Sequence, residues 1–87
     1  KGQSWHGTDR QVRGAVMAVL RVAESPVAAE LFRQAPADLG FEPAGIGIPL
    51  AALHRLDCAP EQLERALAGL LSDGLAELHP AGFRLPA

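Results

Sequence analysis

Apolar positions along this chain fall into three helical stripes followed by a short alternating tail. Val12, Val16, Val19, Leu20 and Ala23 recur at spacings of three and four, which predicts one apolar side of a helix. Its start is marked by GTDRQVRG (residues 7–14), where Thr8 and Gln11 have the spacing of a capping box and Asp9 complements the helix dipole. Arg10, Arg13 and Arg21 fall largely outside the stripe, giving that helix a basic edge. Glu24-Ser25-Pro26 breaks the pattern, because a proline disfavours helix at the residue before it. A second short helix is expected over Val27–Ala35, anchored by Leu31 and Phe32.

Residues 36–47 hold two prolines and three glycines and read as loop. A third helix is expected to start at Ile48-Pro49, with Leu50, Leu53 and Leu56 on its apolar side. Pro60 opens a fourth, striped by Leu63, Ala66, Leu67, Leu70 and Leu71, and Gly74 suits the left-handed residue that ends it. Residues 75–78 and 83–86 flank the turn His79-Pro80-Ala81-Gly82 and predict a β-hairpin. The expected fold is therefore mainly α with a small β-hairpin: a winged helix-turn-helix of three core helices plus a wing over Leu75–Leu85. Pro60–Asp73 takes the place of the recognition helix. A generic small helical bundle with a C-terminal hairpin is the alternative.

Composition narrows the function more than the fold. The 87 residues make one small domain, without an apolar run of membrane-spanning length or an export leader. Since the chain begins at Lys1 and not at Met, it is expected to be part of something longer. A single cysteine, Cys58, excludes an internal disulfide or a cysteine-only metal cluster and fits a reducing, cytoplasmic compartment. The net charge of −2 hides an asymmetry. Residues 1–21 carry four cations against one carboxylate, whereas residues 22–87 carry four against nine. A phosphate-facing surface is thus expected beside the N-terminal helix.

The chemistry-bearing residues are sparse. Glu61 and Glu64 form the nearest approach to a carboxylate pair and read as solvated first-turn charges. His6, His54 and His79 are scattered, and Gly45-Ile46-Gly47 lacks the remaining glycines of a phosphate loop, so neither catalysis nor metal binding is expected. On the would-be recognition helix, Glu61, Gln62, Glu64, Arg65, Ser72 and Asp73 face outward with a net charge of −2, a poor surface for groove reading. The expected contacts to DNA or to a neighbouring domain are Lys1, Trp5, His6, Arg10, Arg13 and Arg21, with Arg65 and Arg84 secondary. For Trp5, a hydrophobic lid on the first helix is the competing role.

Two blocks carry a resemblance. GTDRQVRG with its apolar helix ending VLR resembles the C-terminal segment of A/G-specific adenine DNA glycosylases of high-GC Gram-positive bacteria. The second block is similar too: Ala51 and Leu53, then Pro60, Gln62, Arg65, Ala66, Leu67, Leu70, Leu71, Asp73 and Leu75, with GFRLP near the end, one residue shorter than the family's close. Ala15 departs from the family, which has a further arginine there, and residues 27–47 look like an insertion between the first two core helices.

The resemblance implies a base-excision repair enzyme that flips out adenine paired with 8-oxoguanine and hydrolyses its glycosidic bond. The family's catalytic glutamate and aspartate, and a four-cysteine iron–sulfur cluster, belong to a helix-hairpin-helix domain outside these residues. No cofactor and no catalysis are then expected of this chain itself. Many relatives carry a Nudix-like domain that recognises the oxidised guanine, and this module is expected in its place, with residues 1–7 as linker. The implied partners are its own catalytic domain and, weakly, duplex DNA, without a membrane or a small-molecule substrate. The implied location is cytoplasmic and nucleoid-associated. Two other functions stay open on the residues: a transcription-regulator DNA-binding domain and a protein–protein adaptor.

Overall fold

A computed structural model describes residues 9–34, 46–56 and 58–86. Helix α1 spans Asp9–Val22 and buries Val12, Val16, Val19 and Leu20, four of the five members of the expected stripe; Ala23 lies one residue past the helix and is half-buried. The Thr8 half of its cap lies outside the described residues. Helix α2 is a single turn-and-a-half, Ala29–Arg33, that buries Leu31 and Phe32. Helix α3 covers Gly47–Arg55 and α4 covers Pro60–Ser72, with Pro60 in the first turn of α4. A four-residue connection, 56–59, joins them, the length a helix-turn-helix uses. Strands β1 (Glu77–His79) and β2 (Gly82–Arg84) form an antiparallel hairpin around Pro80-Ala81.

Helix α1 packs chiefly against α3 and α4, and α2 closes the same core from the side. Among the described residues, sixteen buried apolar side chains from the four helices, the hairpin and their connections form one cluster, and no polar side chain is buried with them. The end of α4 follows from Gly74, whose φ of +76° carries the chain out of the helix. The Gly74 N–H donates to the Leu71 carbonyl and the Leu75 N–H to the Leu70 carbonyl, which satisfies the last turn in a Schellman arrangement.

Three expectations shift at their edges. Val27 and Ala28 are not helical. The Val27 N–H donates to the Phe83 carbonyl and its own carbonyl accepts from the Phe83 N–H, both at 2.8 Å. This bridge extends the hairpin on its β2 side and delays α2 to Ala29, while Ala35 lies outside the described residues. Helix α3 begins at Gly47, one residue before the expected start and within the stretch expected as loop, of which 36–45 lie outside the described residues. The strands are shorter than 75–78 and 83–86 and lie closer to the turn, because His79 and Gly82, expected in the turn, pair with each other as strand residues. Residues 27–34 are part of the core and no mere surface addition: Phe32 is 2% exposed and meets Phe83 edge-to-face at 5.9 Å. Among the described residues, four helices with a small antiparallel hairpin make an architecture compatible with a winged helix.

Candidate nucleic-acid interface

Of the residues expected to face DNA or a neighbouring domain, Lys1, Trp5 and His6 lie outside the described residues. Arg10 and Arg21 are exposed on α1, and among the described residues no carboxylate pairs with either. Eleven residues is three turns plus about 20°, so the two arginines share one side of α1, some 16–17 Å apart along its axis. Gly14 and Met17 fall between them on that side, and Gly14 is exposed.

The other arginines are engaged. Arg13 pairs with Asp73 at 2.5 Å, laying its guanidinium beside Gly69 of α4. Arg65 donates to Asp9 at 3.1 Å, and the Gln62 amide donates to the same carboxylate at 2.9 Å. Arg33 grips Glu64 through two hydrogen bonds, at 2.7 and 3.0 Å. Arg84 pairs with Glu77 across the hairpin at 2.5 Å. All four pairs are solvent-exposed, so each contributes little to stability and much more to fixing where charge sits. The donated hydrogen bonds from Arg65 and then Gln62 hold the Asp9 carboxyl below its ordinary value. The Arg33 hydrogen bond lowers Glu64, and Glu64 in turn raises Arg33.

These partners change the charge of the outer side of α4. Its own residues sum to −2, but Arg13 neutralises Asp73 and Arg33 neutralises Glu64. Arg65 is itself neutralised by Asp9, which leaves Glu61 as the carboxylate there without a described partner. The surface is therefore nearly neutral and not strongly acidic. It still lacks a guanidinium free to reach a phosphate or a base edge. The sequence reading missed Arg33 and Asp9 as partners of α4, because the pairs span 31 and 56 residues and no local spacing announces them.

His54, Cys58 and Glu64 do not form a metal site, and no group of three or more such side chains among the described residues could hold an ion. No described helix is long and apolar enough to cross a membrane. Elsewhere, Ile48 and Leu78 are 85% and 64% exposed, large apolar side chains that the sequence pattern did not flag. No protein-family model, curated protein or solved structure matches the chain.

Proposed function

We propose that this domain is an accessory winged-helix module of an adenine DNA glycosylase, one that removes adenine mispaired with 8-oxoguanine in base-excision repair. In this reading the module helps hold the enzyme on duplex DNA, and the chemistry resides in a catalytic domain outside these residues. The parentage rests on the two sequence blocks; the mode of contact rests on one observation. Arg10 and Arg21 stand on one side of α1 with no carboxylate partner among the described residues, while the arginine of α4 is spent on Asp9. A duplex would therefore meet α1, with phosphates neutralised at two points along its length, and α4 would not read a groove.

The experiment is a titration of this chain with plain duplex and with duplex containing an adenine–8-oxoguanine pair, at low salt. Weak, salt-sensitive binding to both duplexes is expected, with little preference between them, because backbone contacts carry no sequence information. Absence of binding at the lowest salt would instead favour an adaptor role. That second reading is supported by the exposed Ile48 and Leu78, apolar anchors of the kind protein interfaces use.

A further inference from the structure

A cavity of about 320 Å³ opens where α2, α3 and α4 meet. Its apolar lining comes from Phe32, Leu53, Pro60 and Leu63. Arg33 and Glu64 form one wall, joined by two hydrogen bonds into a flat guanidinium–carboxylate unit. A planar ion pair of this kind offers a face on which an aromatic ring can stack. The volume falls at the lower end of the range of ligand pockets.

His54 also lines this cavity, half-buried. Its Nε2 lies 3.0 Å from the Leu31 carbonyl oxygen. A carbonyl can only accept, so Nε2 carries the proton and donates it. In the neutral form of the ring Nδ1 is then the acceptor nitrogen, and no described residue is hydrogen-bonded to it. An acceptor at the edge of a cavity can take a ligand N–H.

We propose that this cavity is a binding site for a small planar nitrogen heterocycle of indole size, stacked on the Arg33–Glu64 wall with its ring N–H donated to His54 Nδ1. This goes beyond the DNA-holding role and does not depend on it. The backbone contacts proposed for α1 involve none of these residues.

The test uses the whole chain with indole and 1-methylindole as probes, followed by protein NMR. The two rings differ chiefly in the N–H, so no variant is needed for the first comparison. Saturable shifts confined to Phe32, His54 and Leu63 are expected with indole, and binding of 1-methylindole should be weaker by roughly tenfold or more, the cost of an unmade buried hydrogen bond. His54→Phe, checked for folding by its thermal transition, should bind both rings equally. Equal affinity of the two probes for the unmodified chain, or no saturable binding of indole, would overturn the proposal.

Discussion

Helices α1 and α4 are nearly matched in length, at 14 and 13 residues, and each buries four apolar side chains in the same core. Their outward sides differ. On α1, Arg10 and Arg21 are exposed without a carboxylate partner among the described residues, while on α4 and its C-cap an arginine and two carboxylates are each answered from another element. The difference comes from position within the fold. Asp9 and Arg13 lie on the flank of α1 that borders α4 and reach across to it, whereas Arg10 and Arg21 lie beyond that reach. A helix's own net charge is thus a poor guide to the field it presents. What matters is which of its charges the neighbouring elements neutralise.

Both helices are held by one scaffold, and its tightest point offers the largest perturbation. Gly82 has φ +146°, and a Cβ there would lie 2.3 Å from the Val27 carbonyl oxygen, far inside contact distance. Gly82→Ala should therefore break the Val27–Phe83 bridge and loosen the hairpin. The backbone strain alone is expected to cost roughly 1–3 kcal/mol, measured by chemical denaturation. Because the α1–α4 ion pairs are remote from this site, their double-mutant coupling should survive the change.

That coupling is the next effect in size. A double-mutant cycle on Arg13 and Asp73 should return about 0.2–1 kcal/mol, the range for exposed pairs, and Arg10 paired with any α4 carboxylate in the same cycle should return nothing measurable. A sizeable coupling of Arg10 to Glu61 would erase the contrast between the two helices.

The smallest effect is the pH dependence of stability. Asp9 and Glu64 have folded-state pKa values below their ordinary values of 3.8 and 4.5. An unfolded chain binds these protons more readily, so the pairs stabilise the fold above the ordinary values. That stabilisation is lost as pH falls through the lowered, folded-state values. Replacing Arg65 and Arg33 by Met should make the acid limb of the stability–pH curve shallower, while replacing Arg10 should leave it unchanged.

Much of the fold was legible because burial imposes periodicity. The stripes of α1 and α4 and the stop at Gly74 are local statements, and the structure places them as the spacing implied except at the last member of each stripe, Ala23 and Leu71, which are half-buried. Val27 escaped that logic. Its apolar character fits a helix start as well as a strand, and only the approach of Phe83, 56 positions away, decides between them. The candidate interface was legible in part for the same reason. Exposure of Arg10 and Arg21 follows from the helical period, but the capture of Arg13 and Arg65 by carboxylates far along the chain does not. His54 read as one scattered histidine until the fold brought it beside Arg33 and Glu64.

The most direct test of α1 as the phosphate-facing helix is the salt dependence of duplex binding for three proteins: the unmodified chain, Arg10→Ala/Arg21→Ala, and Arg65→Ala. Removing one phosphate-neutralising side chain should flatten the log–log slope by about 0.9, so the double variant should flatten it by roughly twice that and the Arg65 variant hardly at all. A slope that flattens on removing Arg65 and stays fixed on removing Arg10 and Arg21 would place the DNA on α4 and contradict the assignment.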